Sequence, residues 1–341
     1  MSVVDQEQVL DYVFSSLYSV YSLIGIILNS FLLGLIVFYK QTSLKEYRIL
    51  LGNTTCSLLL LSVLNFFLQL RFVIAGDSLG YVALGPARFL NLPRLNLFCT
   101  ALMLTLDIYS FMTIAMCMAF KYRTLVDESP SARQIFVAIS LFFLLPLSTG
   151  ISLLIYNPDF QQLHEILEKL RPEDQLQRYG NYCGLPDAKN AYVLYLIVVI
   201  CSIGVGSYMV MIAAGVKIHS YVLSSYNKMS PQSSKAFNMM VKALVIQSFM
   251  PVFFSFPTKI LYLLAQFTTF HSIIAEYLMF AMSPIVAVVD PCITLYYILP
   301  YRKFVTGMLG FSKREASSKV LSTDTVTKAS TQPFALKSIA D

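Results

Sequence analysis

The sequence predicts an all-α membrane protein, a bundle of seven transmembrane helices with its N-terminus outside. Three observations carry that expectation. Of 341 residues, 56% are hydrophobic and 13% charged, where soluble domains average roughly 45–50% and about 25%. Uncharged stretches long enough to cross a bilayer, about 18 residues or more, recur along the whole chain. Lysines and arginines then fall mainly on one face when the loops are assigned alternately to the two sides.

The spans follow from the charge spacing. Span 1 is the run 12–39 between Asp11 and Lys40; with no basic stretch before it and no small-residue cleavage site, it reads as a spanning helix and not a cleaved signal. Runs 49–70, 134–158 and 190–216 give spans 2, 4 and 5. Spans 3, 6 and 7 each tolerate one ionisable residue: Asp107 within 95–120, Lys259 within 243–275 and Asp290 within 277–301. The organisation is therefore an extracellular stretch 1–11, a seven-helix domain 12–300 and a short interfacial helix 301–311. That helix is amphipathic through Phe304, Val305, Met308, Leu309 and Phe311. A disordered tail 312–341 follows, rich in serine and threonine.

With the N-terminus outside, 17 of the 25 basic residues face inward. The net charge of +6 thus meets anionic lipid at the inner leaflet, and nothing points to a nucleic-acid partner. Cysteine placement adds a check. Cys56, Cys117, Cys201 and Cys292 lie inside apolar runs, whereas Cys99 falls at the outer end of span 3 and Cys183 in the second outer loop. On the oxidising side the pair reads as a disulfide pinning that loop to span 3, or else as two unpaired thiols. In the same loop Leu163, Ile166, Leu167 and Leu170 recur at helical spacing and predict a short amphipathic helix lidding the bundle.

Several motifs resemble those of rhodopsin-like G-protein-coupled receptors. Asn29 ends Gly25-Ile26-Ile27-Leu28-Asn29 in span 1, and Arg123 closes span 3 in Lys121-Tyr122-Arg123. Span 6 carries Phe249 in Ser248-Phe249-Met250-Pro251, and span 7 carries Asp290-Pro291. There are departures: no acid precedes Arg123, no tyrosine sits three after Pro291, and the chain has no tryptophan. Those departures, with Lys45-Glu46-Tyr47-Arg48, Gln69-Leu70-Arg71-Phe72, Gly85-Pro86, Gln247 and Pro300-Tyr301-Arg302-Lys303-Phe304, resemble the nematode serpentine receptor class d family over residues 10 to 305. Ala87 stands where that family usually has a cysteine.

The resemblance implies a multi-pass plasma-membrane receptor of sensory cilia. Its ligand would be a small, volatile odorant or pheromone, its partner a heterotrimeric G protein, and no cofactor is implied. On the inner face Arg123, Lys217, Lys235 and Lys242 would meet the G protein, and kinases or arrestin would act on the tail. Phe249 and Pro251 would form the switch in span 6. From the residues themselves, Asn29, Asn53 and Asp290, the last beside Pro291, are expected either as a polar cluster coupling the two halves or as a static network packing spans 1, 2 and 7.

The pocket is expected from Met103, Thr105, Leu106, Tyr109, Tyr195, Val199, Phe253, Phe256 and Tyr277, an aromatic and methionine-rich set suited to a small apolar molecule. Asp107 is a further candidate. Sixteen residues separate it from Arg123, which at 100° per residue turns the two about 160° apart, so Thr105 is expected to face the cavity and Asp107 a neighbouring helix or a ligand group. Lys259 and Glu276 are expected near the outer rim, paired across the cavity or solvated. Scattered His164, His219 and His271 and the absence of a phosphate loop leave no enzyme reading. A transporter lacks its repeat, an opsin lacks its lysine in span 7, and a peptide receptor differs only in ligand.

Overall fold

The computed structural model describes residues 3–39, 45–126, 130–180, 182–225, 239, 242, 245–247, 249–250, 252–268 and 272–308. Seven helices are long and apolar enough to cross a membrane, in the order the charge spacing predicts. The first four spans are α1 (Val3–Phe38), α2 (Lys45–Leu68), α3 (Pro93–Val126) and α4 (Ala132–Tyr156). The loop helix α5 (Phe160–Leu170) follows, and α6 (Ala191–Ser225) is the fifth span. α7 (Phe256–Phe267) ends the sixth; α8 (Ile273–Ala281) and α9 (Val286–Tyr297) share the seventh, and α10 (Leu299–Met308) closes the described chain.

Local chemistry explains the boundaries. Ser131 and Gln134 form a reciprocal capping box at the start of α4, and Asp159 accepts from the backbone N–H groups of Gln161 and Gln162 to start α5. The seventh span breaks at Ser283–Ile285, where Pro284 supplies no backbone donor. α10 occupies the place of the expected interfacial helix, with Leu309 and Phe311 outside the described residues. α5 is the amphipathic helix read in the outer loop: Leu163 and Leu167 are fully buried, Ile166 is half-buried and Leu170 faces out.

Two features depart from the expectation. α1 begins at Val3 and so runs through the stretch read as an extracellular N-terminus. An all-α reading also omits a three-stranded antiparallel sheet: β1 (Leu70–Ala75) and β2 (Ser78–Ala83) form a hairpin, and β3 (Cys183–Leu185) pairs with β2 through Tyr81 and Cys183. Gly76 takes φ +59° in the two-residue turn, a conformation that favours glycine. The sheet caps the end of the bundle opposite Arg123, and its buried side chains join the main core with Leu68, Leu97, Met103 and Phe280.

Candidate functional site

Beneath the sheet lies a cavity of about 90 Å³ between α3, α6, α7 and α8. Phe72, Leu79 and Tyr81 of the sheet roof it; Leu104, Asp107 and Ile108 of α3, Leu196, Ile197, Ile200 and Cys201 of α6, Thr258, Lys259, Tyr262 and Leu263 of α7, and Met279 and Phe280 of α8 form its wall. The roof is aromatic, with the Phe72 ring 5.2 Å from Tyr81 and 5.5 Å from Phe280. In this apolar wall stands a single ion pair, Lys259 Nζ to Asp107 at 3.2 Å. Lys259 also donates to Ser255 Oγ at 3.0 Å and lies 4.7 Å over the Phe111 ring. A side chain of one helix is thereby tied to another across the cavity.

Of the ten residues expected to line a pocket, Asp107 lines this one. The register argument is reversed: Asp107 faces the cavity, while Thr105 donates to the Ala101 carbonyl and packs against Gly150 of α4. The reason is that α3 runs through the middle of the bundle and is enclosed on nearly every side, so the azimuth of Arg123 at one end does not mark the cavity at the other. Met103 and Leu106 are core residues. Tyr109 meets Asn53 and Phe143, and Tyr195 is exposed and bonded to Ser148. Val199 packs beside Ile108 and Ile203, and Phe253 is exposed. Phe256 stacks edge-on against Phe111 and Tyr208, and Tyr277 lies buried beneath Arg71.

Lys259 and Glu276, read as either paired or solvated at the rim, do not pair, and Glu276 is buried. Glu276 instead joins a buried ionic cluster above the cavity. There the fully buried Arg71 of β1 reaches Glu7 at 2.7 Å, Glu276 at 3.0 Å and Asp11 at 3.8 Å, and donates to the Tyr179 hydroxyl at 2.9 Å. Arg178 pairs with Glu7 at 2.8 Å, and Arg171 bridges Glu276 and Asp174. The cluster ties α1, the sheet, the second loop and α8 together, which is why the first helix extends through Glu7 and Asp11. Burial, with the Glu7 and Glu276 carboxylates nearby, pushes the Asp174 carboxyl up to about 6 even though Arg171 acts in the opposite sense. Burial pushes the Cys183 thiol up to about 12.

Cys99 and Cys183 are both buried. They share the main core, where Cys183 is fixed by its strand register opposite Tyr81.

The three polar residues read as one cluster in spans 1, 2 and 7, Asn29, Asn53 and Asp290, make three separate contacts. Asn29 donates to the Ala287 carbonyl at 2.7 Å, the acceptor that Pro291, four residues on, leaves without its helical donor. Asn53 donates to the Tyr109 hydroxyl at 2.8 Å, and Asp290 accepts from Gln247 at 2.9 Å. At the far end Arg123 and Lys242 are exposed, Lys217 lies 5.4 Å over the Tyr122 ring, and Phe249 is half exposed. Lys235 and Pro251 lie outside the described residues.

Comparison with known proteins bears on this arrangement. A family model described as "Serpentine type 7TM GPCR chemoreceptor Srd" matches residues 14–307. Serpentine receptor class delta-32 of Caenorhabditis elegans is 26% identical over 92% of this chain and 91% of its own length. Serpentine receptor class delta-18 of the same organism is 27% identical over 84% and 85%. Among solved structures, squid rhodopsin superposes with a TM-score of 0.62 at 15% identity, covering 87% of this chain and 80% of its own, a likeness of fold.

Proposed function

Because this chain belongs to the Srd family of serpentine seven-helix chemoreceptors, whose members are receptors and not enzymes, we propose that it binds a small, volatile odorant or pheromone in the cavity under the sheet and activates a heterotrimeric G protein. The observation that supports this reading most is the cavity itself: roofed by aromatic rings, walled by aliphatic side chains and holding one ion pair that spans α3 and α7. A space of about 90 Å³ fits a molecule of a few heavy atoms, and its apolar wall favours hydrocarbon over a charged peptide. Lining residues on α3, α6, α7 and α8 let an occupant bias how those spans pack, which is how differential contact becomes a shift between states.

In this reading the N-terminus and sheet lie outside, the Arg123 end faces the cytoplasm, and the protein works in the membrane of a sensory cilium. Arg123, Lys217, Lys235 and Lys242 form the G-protein surface, and the tail receives kinases or arrestin. The test is a calcium or cAMP response in cells expressing the chain, against a panel of volatile ketones, alcohols, acids and small peptides, with Arg123→Ala as signalling control. A saturable response to a volatile compound, lost in Arg123→Ala at equal surface expression, is the expected result. A response to peptides alone removes the odorant, and currents independent of G proteins remove the receptor mechanism.

A further inference from the structure

A second cavity, about 590 Å³, lies at the Arg123 end between α3, α4 and α6. Small side chains make the space: Ala115 and Ala119 on α3, Ala138 on α4 and Gly206 on α6. A Cβ placed on Gly206 would meet nothing within 4 Å. Its rim is Phe142, Leu145 and Val210, which are 46%, 44% and 45% exposed on the outer faces of two spans. The groove therefore opens sideways, onto bilayer hydrocarbon, so an occupant enters from the membrane and not from water.

Its length and its charge identify that occupant. From Met112 to Arg123, both lining residues, the helix rises about 17 Å, close to one leaflet of a hydrocarbon core roughly 30 Å thick. Among the described residues Arg123 is the one charged residue lining the groove, and it is exposed. A guanidinium at the edge of hydrocarbon is costly alone, and its planar fork suits phosphate or carboxylate oxygens. We propose that this groove binds an anionic phospholipid of the surrounding leaflet, headgroup on Arg123 and one acyl chain laid along α3 and α6 toward Met112. The site is separate from the cavity under the sheet, and the proposal does not rest on the ligand read there.

The absence of tryptophan from the chain makes the test direct. Phe142→Trp or Val210→Trp places a lone emitter on the groove rim; Val37→Trp, at a 50% exposed position near the same end of α1, reports ordinary lipid. Each full-length variant is reconstituted in phosphatidylcholine vesicles containing equal fractions of dibrominated phosphatidylserine or dibrominated phosphatidylcholine. At the rim, the serine lipid should quench at least about twofold better than the choline lipid, against a ratio near one at Val37→Trp. Arg123→Gln should bring the rim ratio down to the reference. Gly206→Leu, which fills the groove, should lower rim quenching by both lipids. Equal ratios at rim and reference, or a rim preference that survives Arg123→Gln, would overturn the proposal; the two rim positions guard against either one failing to fold.

Discussion

Replacing Arg71 by methionine removes the centre of the ionic cluster while keeping an unbranched side chain in its place. The Arg71 and Glu7 side chains are fully buried at 2.7 Å, and Glu276 lies 3.0 Å away with 7% of its side chain exposed. Truncating one member of a buried pair costs about 3–5 kcal/mol, because the charge left behind is uncompensated. Glu7 keeps Arg178 at 2.8 Å and Glu276 keeps Arg171, so the lower end of about 3 kcal/mol applies. At roughly 2–4 °C per kcal/mol the midpoint falls on the order of 6–12 °C, measured by thermal unfolding of the detergent-purified protein. Arg71→Met combined with Glu7→Gln and Glu276→Gln should recover part of that loss, since the two buried carboxylates are gone while Arg178 keeps Asp11 and Arg171 keeps Asp174. A single variant within about 2 °C of wild type, less than 1 kcal/mol, or a triple variant no more stable than the single, would refute the reasoning.

Other consequences are as specific. Asp174 has a folded-state pKa raised to about 6 against about 3.9 unfolded. Its contribution to stability is therefore fully present below about pH 4 and lost as the pH rises through 6; Asp174→Asn should raise the midpoint at pH 7 and flatten the pH dependence between 4 and 6. Breaking the Asp107–Lys259 pair by Lys259→Met or Asp107→Asn should destabilise, with a double-mutant coupling of about 1–3 kcal/mol in thermal unfolding; a coupling near zero would mean the two do not interact. Gly150→Ala sets a Cβ against Thr105 Oγ1 and should cost about 1–3 kcal/mol, most of it restored when Thr105→Ala is added.

The bundle was legible because charge spacing alone delimits spans, and α5 because its leucines repeat at helical spacing. The sheet was also present in the sequence: Arg71-Phe72-Val73-Ile74 and Leu79-Gly80-Tyr81-Val82 flank Gly76-Asp77, a hairpin signal. It was hidden by the assumption that segments joining spans are loops, and by Arg71, which reads as a solvated loop charge until its partners Glu7 and Glu276, 64 and 205 residues away, are seen. Missing the sheet meant missing the roof of the cavity, Phe72 and Tyr81. The pairing of Asn29 with the carbonyl freed by Pro291 was within reach because proline chemistry is local. Lys259 against Asp107 was not, since it depends on how α3 and α7 turn about their own axes, which no periodicity in one sequence fixes.

A small ligand acting from the cavity beneath the sheet is tested by comparing concentration–response curves of wild type and Ile200→Trp for the agonist found in the panel, at matched surface expression. Ile200 lines the cavity, and an indole there leaves no room for an occupant in about 90 Å³. Loss of the response or a shift of at least about tenfold, equivalent to about 1.4 kcal/mol of binding, is expected with expression unchanged. An unaltered curve would place the ligand elsewhere and contradict this reading.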